Sequence, residues 1–221
     1  MTQATRKHLA AIACAAAVAA LAGCATPHAY DYTALRQARP ASILVLPPLN
    51  HTPEVGATAG VLSHVTTPLA ESGYYVLPVA VVDEAFRQNG IVTADDAQAA
   101  PPEKLREIFG ADAALYLDVR EYGTVYKVLS SETKVTVEGR LMDLRTGEQL
   151  WSGEASASSD EGRSNSGGLI GMLVSAVVNQ VADSLSDRSA QMAVIADHRL
   201  LASGRPGGLL YGPRSPKYGT D

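Results

Sequence analysis

Ala113-Ala114-Leu115-Tyr116-Leu117-Asp118-Val119-Arg120 is the stretch where the apolar period of this chain changes from 3.6 to 2. Leu115, Leu117 and Val119 share one face of an extended backbone, and Tyr116, Asp118 and Arg120 share the other. The alternation continues downstream. Lys134 to Leu144 puts Val135, Val137, Gly139 and Leu141 on one face, and Leu150 to Ser158 does the same with Trp151, Gly153, Ala155 and Ala157. Between them, Asp143 to Trp151 reads as a hairpin corner in which Gly147 supplies the positive φ of a short bulged loop. Long strands joined in this way form an antiparallel meander. On its covered face Trp151 is expected beside Leu117 and Val137.

Upstream the pattern differs. Ser42-Ile43-Leu44-Val45-Leu46 is apolar on both faces and stopped by Pro47-Pro48, which predicts a central strand covered on each side. After the loop Asn50 to Gly56, Ala57 to Ser72 has helical spacing, with Val61, Leu62, Val65 and Leu69 on one stripe and Pro68 as a kink. Gly73 closes that helix. Tyr74 to Leu77 is a second short strand, and Val79 to Asn89 a helix with Val82, Ala85 and Phe86 inward. Pro101-Pro102-Glu103 opens a further helix with Leu105, Ile108 and Phe109 inward and Gly110 at its end. Short apolar strands with crossover helices pair in parallel. The expected architecture is α/β (α+β): one mixed sheet, parallel strands with crossover helices followed by the meander. Beyond a polar loop from Asp160 to Gly168, a long helix from Leu169 to Arg188 carries Ile170, Leu173, Val174, Val177, Val181 and Leu185 on one stripe.

The termini speak to location. Arg6-Lys7-His8, a charge-free apolar run from Leu9 to Leu21 and the exit Leu21-Ala22-Gly23-Cys24 have the three parts of an export signal. The run is too short to span a bilayer core of about 30 Å. Leu-Ala-Gly-Cys resembles the lipobox of bacterial lipoproteins, which implies lipid on the Cys24 thiol and cleavage before it. Ala25, where inner-membrane retention would call for aspartate, implies the outer membrane. The boundaries are then a signal at 1–23, a tether at 24–40, an α/β domain at 41–203 and a Gly/Pro-rich tail at 204–221. Losing Arg6 and Lys7 leaves 16 basic against 23 acidic side chains, a net charge of −7 that argues against nucleic-acid binding. Of the two cysteines, Cys14 leaves with the signal and Cys24 is lipidated, so no thiol remains for a disulfide, a metal or catalysis.

Ile43-Leu44-Val45-Leu46-Pro47-Pro48, Ser72-Gly73-Tyr74-Tyr75-Val76-Leu77-Pro78, the turn Leu144-Arg145-Thr146-Gly147 with Leu150-Trp151, Gly167-Gly168-Leu169 and Tyr211-Gly212-Pro213-Arg214 together resemble a family of bacterial lipoproteins of unknown function. The likeness spans nearly all of the mature chain. A more distant similarity, in chain plan and in the Thr-Gly…Leu-Trp hairpin, runs to the curli-secretion lipoprotein CsgG and the N-terminal domain of TolB. These are fold markers and imply no active site; the segment Val125 to Ser131 is shorter than a membrane-spanning hairpin of the CsgG pore.

Candidate chemistry is sparse. Histidines 28, 51, 64 and 198 lack metal-ligand spacing, although His51 and His64 form a conceivable pair across one loop. Gly162-Arg163-Ser164-Asn165-Ser166 approaches a nucleophile elbow but has serine in place of the second glycine. Asp95-Asp96 and Asp83-Glu84 are acids of the kind expected in loops and at helix starts. Gly167-Gly168-Leu169-Ile170-Gly171 precedes a helix without the Lys-Ser/Thr of a phosphate cradle. The expected function is that of a lipid-anchored, non-catalytic binding or assembly module at the periplasmic face of the outer membrane. It implies no cofactor and no metal, envelope protein partners, and self-association as a dimer through Leu169, Ile170 and Leu173 or through the tail cluster Leu209, Leu210 and Tyr211. Such a cluster docks on its own domain or on a neighbour. The rival reading is a periplasmic hydrolase.

Overall fold

Ile43, Leu44 and Val45 are at most 1% exposed, so the strand they form lies inside a sheet with both faces covered. The computed structural model describes residues 30–127, 130–161 and 188–221. In it the strands are β1 (Ser42–Val45), β2 (Leu49–Asn50), β3 (Tyr75–Val76), β4 (Ala113–Lys127), β5 (Ser130–Asp143) and β6 (Gln149–Ser158). They form one mixed sheet in the order β3-β1-β4-β5-β6, with β2 beside β4. β1 is parallel to β3 and β4, Ile43 standing opposite Val76 on one side and Ala113 on the other. β4, β5 and β6 are antiparallel. The helices are α1 (Thr33–Ala38), α2 (Ala57–Leu62), α3 (Thr66–Glu71), α4 (Val79–Gln88), α5 (Ala94–Gln98), α6 (Pro102–Phe109) and α7 (Arg188–Leu201). The expected fold class and the parallel-then-meander plan are what the sheet shows.

The two faces have different covers. Over β1 and the start of β4, α4 to α6 bring Val82, Phe86, Ala97 and Leu105 against Leu44, Leu46 and Tyr116. The other face of the meander is closed by α7. Gly139 and Gly153 stand opposite each other on β5 and β6, and the slot they leave takes the indole of Trp151, which is 1% exposed. A Cβ at Gly139 would lie 3.3 to 3.4 Å from Leu200, Leu117 and Trp151 alike, so those three side chains meet there. The expected neighbour Leu117 is thus in place. Trp151 Nε1 donates to the Gly207 carbonyl at 2.9 Å.

Several expectations are corrected. The helix expected over 57–72 is two helices, α2 and α3. Pro68 is the third residue of α3, where a helix has no use for the missing N–H, so the chain restarts its helix just ahead of it rather than kinking. Asp95 and Asp96 lie in α5 and not in a loop; Thr93 Oγ1 accepts from the Asp96 N–H at 3.1 Å and caps it. Ile108 points outward at 55% exposure because α6 reaches the core through Leu105 alone among its buried residues. The tether does not run to residue 40. Thr33–Ala38 is helical, Leu35 is 3% exposed, and the compact unit begins at Asp31. α7 was not foreseen. Ala193 to Asp197 are five successive buried residues, more than one full turn, so the middle of this helix is buried all round and shows no clean apolar stripe. The signal at 1–23, Cys24 and the expected long helix over 169–187 lie outside the described residues.

Asp197 is 0% exposed and neither carboxylate oxygen has a hydrogen-bond partner among the described residues. Burial pushes its pKa well above the ordinary 3.8. A raised folded-state pKa means that the native state holds the proton more tightly, so the contribution of Asp197 to stability falls as pH rises above that ordinary value. Asp197→Asn is expected to raise the melting temperature at pH 7 and to flatten the loss of stability between pH 4 and 8 in thermal melts. In urea melts, Trp151→Ala should cost about 3–5 kcal/mol. Gly153→Ala should cost about 1–3 kcal/mol, because the new Cβ would sit 2.5 Å from the indole.

Candidate functional site

Pro47 and Pro48 have no N–H to donate, so the pairing of β1 with β4 breaks there and resumes at β2. Gln98 of α5 bridges the break, its Nε2 donating to the carbonyls of Pro47 and Leu117 at 3.0 Å each. The resumed pairing carries His51 over β4, where its N–H donates to Val119 O at 3.0 Å. A bulge between Val119 and Glu121 inserts Arg120 on the same side. These local causes converge on Asp118, which is 7% exposed. His51 Nε2 lies 2.9 Å from Asp118 Oδ1, Arg140 3.5 Å from Oδ2 and Arg120 4.0 Å from Oδ1. Arg120 also pairs with Glu138 at 2.7 Å, and Arg140 lies over the Tyr116 ring at 5.7 Å.

Beside this cluster is a cleft of about 470 Å³ lined by His51, Glu54, Arg120, Tyr122 and Lys134 among others. Lys134 reaches Glu121 at 2.7 Å, and Thr136 Oγ1 donates to the same carboxylate. The Lys134 ammonium and the Thr136 hydroxyl hold the Glu121 pKa below its ordinary value, and Glu121 in turn raises that of Lys134. The Thr52 hydroxyl donates to Asn50 Oδ1 at 2.8 Å. Among the described residues no serine or threonine hydroxyl hydrogen-bonds the His51 ring. The arrangement is a rigid field of paired charges able to offer polar contacts to a partner.

The second feature is the tail. From Gly207 to Ser215 the chain is strapped onto its own domain. The Tyr32 hydroxyl donates to Gly208 O at 2.6 Å, the Tyr74 hydroxyl to Leu210 O at 2.8 Å, Gly212 N to Ser72 O at 2.8 Å and Arg214 N to Gly73 O at 3.0 Å. Gly73 has φ +96°, and a Cβ there would meet Ser215 N at 2.4 Å, so the strap needs glycine at that crossing. Burial pushes the Tyr74 phenol far up. Between α1 and the strap is a cleft of about 360 Å³, lined by Arg36, Arg39, Tyr74, Tyr211 and Tyr218 among others.

The residues singled out in the sequence are mostly dispersed. Leu209 is 1% exposed and packs inside its own domain; Leu210 and Tyr211 stay half-buried at the strap surface. His51 faces Asp118 rather than His64, whose pKa burial alone lowers. Asp83 pairs with Arg87, and Glu84 accepts from Gln88 at 2.9 Å. Among the described residues no three His, Cys, Asp or Glu side chains are grouped to hold a metal. Cys24, Leu169, Ile170, Leu173, Gly162 to Ser166 and Gly167 to Gly171 lie outside the described residues. The Asp118 cluster was missed, because its signal is the charged face of β4 and of β5 taken in a register that spacing alone does not reveal.

A family model described as "Putative lipoprotein GNA1162-like" matches residues 30–214. The "Putative lipoprotein NMB1124/NMB1162" of Neisseria meningitidis serogroup B is 52% identical over 201 residues, 90% of this chain and 93% of that one. The crystal structure of lipoprotein GNA1162 from Neisseria meningitidis is similar with 57% identity and a TM-score of 0.55, over 66% of this chain and 100% of the other.

Removing residues 204–221 should lower stability. The loss includes Leu209, whose burial contributes about 1.5–3 kcal/mol, and the partner of the indole N–H, which would be left unsatisfied. A melting temperature several degrees below that of the full chain is the expected readout by circular dichroism.

Proposed function

The chain belongs to the GNA1162-like lipoproteins, and from that premise we propose that it is anchored by lipid at Cys24 to the outer membrane and serves there as a non-catalytic module for binding and assembling envelope proteins. The observation that carries this reading is Leu21-Ala22-Gly23-Cys24 behind a basic and then apolar leader. The thiol takes the lipid, and the small Ala22 and Gly23 admit the cleaving protease. Ala25 supports transfer to the outer membrane, with the domain facing the periplasm.

A binding role is supported by how the ionisable groups are used. Asp118 and Glu121 are each committed to a base within 4.0 Å, and the nearby Thr52 hydroxyl is turned to Asn50. Polar groups held this firmly suit recognition of a complementary surface more than proton transfer to a substrate. Self-association as a dimer is part of the proposal. With Leu209 packed in its own domain, the residues proposed to carry it are Leu169, Ile170 and Leu173 or Leu210 and Tyr211 of the tail.

Anchoring and assembly are tested together in intact cells. The wild type should band with outer membrane on a density gradient and require detergent for release, since two or more acyl chains hold a protein stably whereas one does so marginally. Mass spectrometry should find Cys24 modified and first in the mature chain. Cys24→Ala should remain unprocessed and leave the outer-membrane fraction. Chemical crosslinking of wild-type envelopes should trap a dimer and heavier adducts; a monomer throughout would refute the assembly role.

A further inference from the structure

The face built by α1 and the strap differs electrostatically from the rest of the domain. Residues 31–39 and 203–221 together carry Arg36, Arg39, Arg205, Arg214 and Lys217 against Asp31 and Asp221. That is five basic against two acidic side chains, in a mature chain with a net charge of −7. The two segments are one surface: Tyr32 is bonded to Gly208, Arg36 Nη2 donates to the main-chain oxygen of Asp221 at 3.1 Å, and both segments line the same cleft.

Arg36, Arg39, Arg214 and Lys217 are exposed. Of the cations elsewhere on the surface, Arg87 on α4, Lys104 on α6 and Arg120 and Lys134 on the outer face of the meander are each paired with a carboxylate. Arg36, Arg39, Arg214 and Lys217 make no ion pair with a carboxylate side chain among the described residues. Three of them rest on tyrosine rings, Arg36 on Tyr32 at 5.6 Å, Arg214 on Tyr75 at 4.9 Å and Lys217 on Tyr211 at 5.4 Å. A ring holds a cation in place without cancelling its charge for a third body. Tyr75 and Tyr218 are themselves 44% and 45% exposed. Amphipathic rings interleaved with exposed cations are the composition that settles at a headgroup layer.

Chain length argues the same way. The compact unit begins at Asp31, only seven residues after Cys24. Fully extended, those residues reach about 25 Å. A lipid at Cys24 therefore keeps the α1 end of the domain close to the bilayer.

We infer that the surface formed by α1, the strap and the β3 end of the sheet docks on the anionic phosphate headgroups of the membrane that anchors the chain, fixing which way the remaining faces point. The inference rests on the anchoring proposed above. A basic surface gains about 1 kcal/mol per cation at an anionic bilayer, near fivefold in affinity, and the gain fades beyond a screening length of about 10 Å at 0.1 M salt. With this face against the bilayer, the Asp118 cluster and its cleft are left for protein partners.

The test uses the mature chain, residues 24–221, carrying Cys24→Ser so that it bears no lipid. It is sedimented with vesicles of phosphatidylcholine alone or with about a third phosphatidylglycerol. Binding to the anionic vesicles only, weakening at least tenfold between about 50 and 500 mM salt, is expected. The variant Arg36→Gln/Arg39→Gln/Arg214→Gln/Lys217→Gln should lose about a hundredfold or more in affinity, while Arg87→Gln/Lys104→Gln stays within about twofold of the wild type. No binding to anionic vesicles at low salt, equal binding to neutral ones, or an equal loss in the control variant would overturn the inference. So would loss of a co-purifying envelope protein from the fourfold variant without any vesicle binding by the wild type. The salt series on the unaltered chain decides the matter should the fourfold variant misfold. Because this chain carries no lipid, an unmodified Cys24 in the native protein would sink the anchoring and leave the vesicle result as it stands.

Discussion

Two glycines face each other across β5 and β6, and the room they leave is filled by one indole. The other main parts of the domain meet at that ring. Leu117 brings the first meander strand to it, Leu200 brings α7, and the indole N–H holds the carbonyl of Gly207. Gly208 next to that carbonyl accepts from Tyr32, which precedes α1. A single side chain thus links the meander to segments near both ends of the domain. The constraint is steric: a methyl group at 153 would occupy space the ring already holds, one at 139 would press tightly on Leu200, Leu117 and the ring, and close-packed interiors have little slack to move them.

The domain manages its charges in two ways. On the outer face of the meander, acids and bases stand opposite each other across strands, and their mutual attraction, modest where exposed, is strengthened around the nearly buried Asp118. On the α1 and strap face, cations are parked on tyrosine rings instead. The first arrangement fixes side chains and leaves little net field. The second fixes them and keeps the field, so a chain with net negative charge still presents one basic side. Surfaces of these two kinds suit different neighbours, a shape- and hydrogen-bond-matched protein for one and a diffuse anionic layer for the other.

Proline and glycine act here as placement devices. Pro47 and Pro48 interrupt a ladder, and the interruption is what lets α5 insert Gln98 and lets the resumed strand bring His51 to Asp118. Pro68 sets where α3 can begin. Gly73 permits the strap to cross the end of α3 at a distance no side chain would allow. Each feature is local in sequence, and its consequence is felt tens of residues away.

The sequence by itself determined what depends on period and local chemistry. The run from Ile43 to Leu46 required cover on both faces, the alternation through 113–119, 135–141 and 151–157 required a meander with one closed face, and Gly147, at φ +72°, required the corner between β5 and β6. The Leu-Ala-Gly-Cys exit needed no fold at all to be read. Tertiary structure alone decided the rest. α7 is legible only once its surroundings are known, because its middle, Ala193 to Asp197, is buried on every side and has no wet face to contrast with. Ile108 and Leu105 look alike in a helical pattern, and only the position of the sheet chose Leu105. α1 lacks the length to stand alone and exists because Leu35 finds a core to enter. The Asp118 cluster joins residues from β4 and β5 with His51 just after β2, and its geometry follows from a register and a one-residue bulge. Pairings between distant segments are set by the packing of the whole sheet, and nothing in the spacing of either segment records them.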